Sequence, residues 1–182
     1  MKVNKNDIYH TPLPVVKKMI EMCHITPDMK VLDPCYGAGA FYNNLPECDK
    51  HWAEIEKGND FFELTGRYDL IIGNPPYSLW TKWLEHTMKL TDKFCYIIGT
   101  LNLTPKRLDA VLKNGFGVTQ MHSVSIDWWF AHSYLVVFEK NKPSIVTSDR
   151  TNIVCDICNT RCKRGVNGND VNKCYYVAKV SA

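Results

Sequence analysis

"DPCYGAGAFYNN" spans Asp33 to Asn44 and follows the short apolar run Lys30-Val31-Leu32. The order is a strand end, a glycine-rich turn and a helix start, the helix expected near Ala40 to Leu45. Such a turn lets backbone approach a ligand closely. A dinucleotide fingerprint needs three glycines; Gly37 and Gly39 fit the first two positions, but Tyr42 holds the third. A phosphate loop needs a Gly-Lys-Ser/Thr ending, which is absent. Asp33 leads the turn, and a carboxylate there repels pyrophosphate. It suits a ligand with a cationic amine. S-adenosylmethionine carries an α-ammonium and a sulfonium and no phosphate.

Outward from the turn, strands and helices alternate. Thr11-Pro12 reads as a helix start, with Thr11 as cap, and Val16, Met19, Ile20 and Cys23 recur at helical spacing. Strands are expected at 30–33, 51–55, 68–74, 93–99, 118–126 and 133–140, the last two antiparallel. Ser78 is expected to cap a helix carrying Trp80, Trp83, Leu84 and Met88. Thr104-Pro105 opens a further helix that Gly115 closes. Residues 141–149 read as a polar linker. This pattern is α/β: a doubly wound, mostly parallel, Rossmann-like sheet. Ligands of such sheets bind beyond the carboxyl ends of the strands.

A second motif, "NPPY" (74–77), stands at the end of the apolar strand "YDLIIGN". Two prolines remove two amide donors. Carbonyls and the Asn74 side chain are left to accept hydrogen bonds from an NH₂ group, and Tyr77 adds a face for stacking. Both motifs sit at strand ends, so they should lie side by side.

Together, "DPCYGAGAF" and "NPPY" resemble motifs I and IV of the N6-adenine methyltransferases. "IYHTP" (8–12) resembles the Y-x-T-P segment that precedes motif I in that family, and "DFF" (60–62) its D-F segment. The likeness covers residues 8 to 140. It implies a Rossmann-like methyltransferase domain over residues 1–142, with S-adenosylmethionine as cofactor. Tyr9, Thr11 and Pro12 would flank the methionine part of the cofactor. Asp33, Pro34, the Gly37–Gly39 backbone and Phe41 would hold it from the other side. Glu54 would take the ribose hydroxyls, with Glu56 a nearby competitor. Asp60 would receive the cofactor's adenine amino group, and Phe61 would stack on that ring. In the catalytic turn, Asn74 and the Pro75 carbonyl would grip the target amine, followed by Pro76 and the stacking ring of Tyr77. Trp128, Trp129 and Phe130 are either the far wall of the target pocket or core aromatics.

The sequence departs from the family in two places. Glu54 and Asp60 are six positions apart, whereas a parallel crossover takes about a dozen residues. The third, edge strand is therefore expected to be missing, leaving six strands in the family order 2-1-4-5-7-6. Nor is there a long insertion for target recognition. In its place the chain ends in a cysteine-rich segment.

Length and composition agree with this division. The chain has 182 residues, 45% of them hydrophobic, enough for one packed domain and a small appendage. No apolar stretch is long enough to span a membrane, and the N-terminus lacks a signal-peptide core, so the expectation is a cytoplasmic protein without a membrane partner. Net charge is +3; residues 1–142 balance with 16 basic and 16 acidic side chains, and the excess lies beyond them. Cys155, Cys158, Cys162 and Cys174 follow a C-x2-C-x3-C-x11-C pattern suited to tetrahedral Zn²⁺. Residues 150–182 are thus expected to form a small four-cysteine zinc module displaying Arg161, Lys163, Arg164 and Lys173 to phosphates. The function implied is N6-adenine methylation of nucleic acid, with DNA favoured and RNA possible. Two alternatives remain: protein glutamine methylation, which also uses N-P-P-Y, and a non-catalytic nucleic-acid-binding protein on the same fold.

Overall fold

The computed structural model describes residues 10–127, 129 and 132–148. Helix α1 (Leu13–Cys23) precedes β1 (Lys30–Asp33) and β2 (Asp49–Trp52). After β3 (Leu70–Gly73) come α2 (Trp80–Leu90), β4 (Lys93–Gly99), α3 (Pro105–Lys113), β5 (Phe116–Val124) and β6 (Ser133–Lys140). The sheet order is β2-β1-β3-β4-β6-β5. The first four strands run parallel, and β6 is antiparallel to both β4 and β5. This is the expected six-strand order with the edge strand missing. Between β2 and β3 the chain makes only two 3-10 turns, Ile55–Lys57 and Phe61–Glu63.

Side chains of the central strands alternate between two apolar layers. Phe94, Tyr96 and Ile98 face one layer with Trp80, Trp83 and Leu84 of α2 and Leu108 and Val111 of α3. Cys95 and Ile97 face the other with Val16, Met19 and Cys23 of α1. Burial on both faces is why β3 and β4 read as unbroken apolar runs. Each such side chain, fully buried, contributes roughly 1.5–3 kcal/mol.

Five local expectations are corrected. The helix after the glycines is absent; a three-residue 3-10 turn, Tyr42–Asn44, takes its place. Asn43 and Asn44 are poor helix formers, and Pro46 pushes Leu45 out of helical geometry; Leu45 has ψ 140°. The second strand is Asp49–Trp52 rather than 51–55; its polar residues suit an edge, where an apolar run is not required. Thr11 does not cap α1, because the cap position belongs to Pro12 with no side-chain bond, and Ser78 lies inside a 3-10 turn, Tyr77–Leu79, ahead of α2. β5 begins two residues early, at Phe116.

The polar stretch after β6 is also more than a linker. The Ile145 N–H donates to the Val118 carbonyl at 2.9 Å, and the Val118 N–H donates to the Ser144 hydroxyl at 3.2 Å. Ser148 donates to the Pro105 carbonyl at 3.0 Å, and Val146 packs on the α2–α3 layer. Chain continuing from β6 therefore straps the outer edge of β5, and the compact unit extends through Ser148. Gly117 makes this possible: a Cβ there would strike the Lys142 carbonyl oxygen and lie 2.8 Å from the Pro143 carbonyl carbon. Gly117→Ala is expected to destabilise the domain by about 1–3 kcal/mol in denaturant unfolding. Unchanged stability would show that the strap yields without cost.

Candidate active site

The strand order reverses at β1 and β3. The chain moves outward from β1 to β2, then returns to place β3 on the other side of β1. The carboxyl ends of β1 and β3 thus open a crevice, the usual ligand position in such sheets. Both motifs lie there. They touch where the Cys35 thiol donates to the Asn74 carbonyl at 3.1 Å. Gly73 allows the approach; a Cβ on it would be 3.0 Å from Pro34 Cδ and 3.4 Å from Cys35 Sγ.

The glycine turn is braced from behind by Asp33. This residue is fully buried, and its carboxylate oxygens accept from the N–H groups of Cys35 and Tyr42, each at 3.2 Å. Burial pushes its pKa up to about 7; the two amides work against that shift, and the nearby Glu54 adds to it. Gly37 and Gly39 both have positive φ, +51° and +80°. At Gly39 a Cβ would also sit 2.8 Å from the Tyr36 hydroxyl, so the Tyr36 ring can fold across the turn only because a glycine is there. Lys57 Nζ lies 3.8 Å above that ring, and Trp52 packs at 5.3 Å. The turn is further tied to the end of β2 by the Tyr36 N–H, which donates to the Ala53 carbonyl at 2.9 Å.

In front of the turn lies a cavity of about 180 Å³. Its walls come from five segments: His10 and Thr11; Pro34 to Ala38 with Ala40 and Phe41; Glu54, Ile55 and Glu56; Asp60, Phe61 and Phe62; and Asn74, Pro76, Leu79 and Trp83. Three walls are carboxylates, and among the described residues no Lys or Arg contributes to the lining. No α-helix follows the glycines, so no helix N-terminus is aimed at the cavity from that turn. Both features disfavour pyrophosphate and favour a cation.

Most of the residues singled out from the sequence converge here. Thr11, Pro34, Gly37, Phe41, Glu54, Asp60, Phe61, Asn74 and Pro76 line the cavity. Asp33, Pro12, Gly39, Pro75 and Tyr77 do not; Asp33 and Gly39 shape the turn instead. Glu54 and Glu56 both reach the wall. Glu54 Oε2 accepts from the Gly37 N–H at 2.8 Å, which makes Glu54 a cross-brace between β2 and the glycine turn. Asp60 caps its own turn by accepting from the Phe62 N–H at 2.9 Å. Phe61 has one face covered by Trp83, with centroids 4.3 Å apart and planes at 23°.

Tyr77 is fixed by its hydroxyl, which donates to the Ile97 carbonyl at 3.3 Å and accepts from the Gly99 N–H at 3.1 Å. Trp129 packs with the α1 layer and is not a cavity wall. Tyr9, Trp128, Phe130, the four cysteines of the proposed zinc set and the four basic residues beside them lie outside the described residues. Sequence reasoning missed Tyr36, Phe62, Leu79 and Trp83 as walls.

No protein-family profile and no curated protein matches the sequence. Among solved structures, a protein provisionally described as an RNA methyltransferase, from Pyrococcus horikoshii, superposes with a TM-score of 0.62 at 17% identity. That match covers 72% of this chain and 86% of the other. Magnesium protoporphyrin IX methyltransferase from Synechocystis, with S-adenosylmethionine bound, gives 0.55 at 15% identity over 70% and 76%. The modification subunit of a provisionally assigned type I restriction enzyme from Vibrio vulnificus gives 0.59 at 15% identity over 85% of this chain and 50% of that one. The fold is therefore the Rossmann-like methyltransferase fold. Among the described residues no helix is long and apolar enough to cross a membrane.

Proposed function

We propose that this protein transfers a methyl group from S-adenosylmethionine to the N6 amine of adenine in nucleic acid, DNA being the favoured substrate. The observation that carries the reading is an acid-walled cavity, with no Lys or Arg wall among the described residues, joined directly to the Asn74–Tyr77 turn. Such walls fit a cofactor with two positive charges and no phosphate. Glu54 or Glu56 would hold the ribose, Asp60 the adenine amino group, and the cavity-facing side of Phe61 the ring. When bound, S-adenosylmethionine would supply an electrophilic methyl group.

The remaining chemistry belongs to this chain. An exocyclic adenine amine is a poor nucleophile because its lone pair is delocalised into the ring. Asn74 Oδ1 and the Pro75 carbonyl can accept its two hydrogens and draw them out of the ring plane, which returns the lone pair to nitrogen. Positioning supplies much of the rate. A nitrogen that has become cationic loses its proton readily, so no strong base is required. A base inside a duplex must first leave the stack, and Tyr77, fixed by two hydrogen bonds, offers it a ring. The test is transfer of labelled methyl to matched DNA and RNA, followed by nucleoside analysis. Label in N6-methyldeoxyadenosine supports the DNA reading, and label in N6-methyladenosine shifts it to RNA. Label only in protein glutamine, or in nothing, defeats it.

The same proposal gives the C-terminal segment a part. Four thiols at that spacing suit one tetrahedral Zn²⁺, and the adjacent Arg161, Lys163, Arg164 and Lys173 suit phosphates. Purified protein is then expected to hold about one equivalent of zinc. A chain ending after Ser148 keeps the β5 strap and every described cavity residue. It should bind S-adenosylmethionine like the full chain but nucleic acid more weakly, with a shallower salt dependence. Unchanged nucleic-acid affinity would remove the segment from substrate capture.

A further inference from the structure

We infer that Cys35 is a positioning residue: by donating its thiol hydrogen to the Asn74 carbonyl, it sets the direction in which the Asn74–Tyr77 turn presents its acceptors to the target amine. The inference rests on the proposed reaction and adds a residue that the resemblance to the N6-adenine methyltransferases leaves without a role.

The argument starts from what the turn lacks. Pro75 and Pro76 have no N–H, so the turn cannot be tied down through the amides that fix most tight turns. It must be held by its carbonyls and side chains. At its far end the Tyr77 hydroxyl bridges Ile97 and Gly99 of β4. At its near end the Cys35 thiol, 3.1 Å from the Asn74 carbonyl, is an anchor.

Between these anchors little freedom remains. The proline rings hold φ near −65°, and Pro76 has φ −66°. The Asn74–Pro75 peptide is planar, so a bond to the Asn74 carbonyl orients the plane on which Pro75 is built. The Pro75 carbonyl, the acceptor proposed for the amine, can then swing only about one backbone bond. A small rotation of the Asn74 peptide would carry that carbonyl and the Asn74 side chain with it.

The donor is itself rigid. The Cys35 N–H donates to Asp33 Oδ1 at 3.2 Å, and the next N–H, of Tyr36, is bonded to Ala53. Sγ also lies against Gly73, where an added Cβ would be 3.4 Å from it. Burial and then the Asp33 charge push the thiol pKa well above its ordinary value, so at neutral pH the sulfur keeps the hydrogen it must give. A thiolate there would face a carbonyl with no proton between them. The same short contact ties the turn that holds the cofactor to the turn that holds the target, so the two reactants are referred to one rigid frame.

The test compares wild type with Cys35→Ala and Cys35→Ser. Alanine removes the donor; serine keeps one, on a shorter bond. In Cys35→Ala, kcat is expected to fall about tenfold, the worth of one hydrogen bond. S-adenosylmethionine affinity by calorimetry should fall much less than kcat, because Cys35 is one of many cavity walls. KM for nucleic acid should stay near the wild-type value, the melting temperature should drop only by the few degrees that one lost hydrogen bond costs, and serine should recover most of the rate. In the infrared, the S–H stretch that disappears in Cys35→Ala should lie below the free-thiol position. Wild-type kcat in the alanine variant, a loss of cofactor affinity that matches the loss of rate, or serine as slow as alanine would each overturn the inference. So would an S–H band at the free-thiol position, a readout that stands whatever the substrate proves to be. Wild-type protein inert on every adenine substrate would instead defeat the proposed function, and the positioning role with it.

Discussion

Asn74→Ala lowers the rate of methyl transfer by about two to three orders of magnitude, while S-adenosylmethionine affinity stays near the wild-type value. The expectation follows from where the side chain sits. Asn74 follows the end of β3 and lines the same cavity as the carboxylates Glu54, Glu56 and Asp60 that suit the cofactor. Its amide oxygen is one of two acceptors on a turn whose prolines remove the competing donors. An alanine leaves the amine with one acceptor, so the lone pair stays largely in the ring when the amine meets the methyl. That interaction matters in the transition state and not for cofactor binding, so the loss should appear in kcat. Single-turnover measurements at saturating cofactor, paired with calorimetry, separate the two. Near-normal turnover would remove Asn74 from the chemistry; a parallel loss of affinity would make it part of the cofactor wall. A glutamine side-chain amide would meet the same acceptors, so nucleoside analysis, not this variant, distinguishes a base from a protein substrate.

The parts of the fold that were legible are those whose chemistry is local. β4 and β6 have the expected bounds, Lys93–Gly99 and Ser133–Lys140, because unbroken apolar runs between polar residues allow little else. The missing edge strand followed from chain length alone: Glu54 to Asp60 is too short for a crossover. β2 was misplaced because a strand with one free edge need not be apolar; Asp49, Lys50 and His51 are all partly or fully exposed. The helix expected after the glycines failed on Asn43, Asn44 and Pro46, whose weight a motif-led reading understated. Within the site, motif residues were found and their partners were not. Tyr36 folds over Gly39, Trp83 covers Phe61, and Glu54 reaches back to Gly37. Each pairing depends on geometry that only the finished sheet and its turns provide. Asp33 shows the same dependence. As a sequence feature it is a partner for a cation; in the fold it is fully buried behind the turn, and its oxygens accept from two amides.

That placement makes Asp33 a source of pH dependence. Its folded-state pKa, raised to about 7, exceeds the ordinary carboxyl value of 3.8. Between these values the folded protein holds a proton that the unfolded chain has released. The stabilising contribution is therefore complete below about pH 4 and is lost as pH rises through about 7, by a few kcal/mol in total. In ligand-free protein, melting temperature should decline from pH 5 to pH 8 more steeply than in Asp33→Asn, which has no carboxyl to ionise. A cationic ligand reverses the preference, because a positive charge in the cavity favours the carboxylate. S-adenosylmethionine binding should then expel the Asp33 proton, and its affinity should rise with pH by up to about tenfold per unit below pH 7, levelling off above. 5′-Methylthioadenosine has the same adenosine but neither the ammonium nor the sulfonium, so its affinity should be flat over that range. In Asp33→Asn, S-adenosylmethionine should bind about ten- to a hundredfold more weakly at pH 8 and lose the pH slope. If the two ligands respond alike to pH in the wild type, the cavity does not read charge through Asp33, and the case for a cationic cofactor rests on Glu54, Glu56 and Asp60 alone.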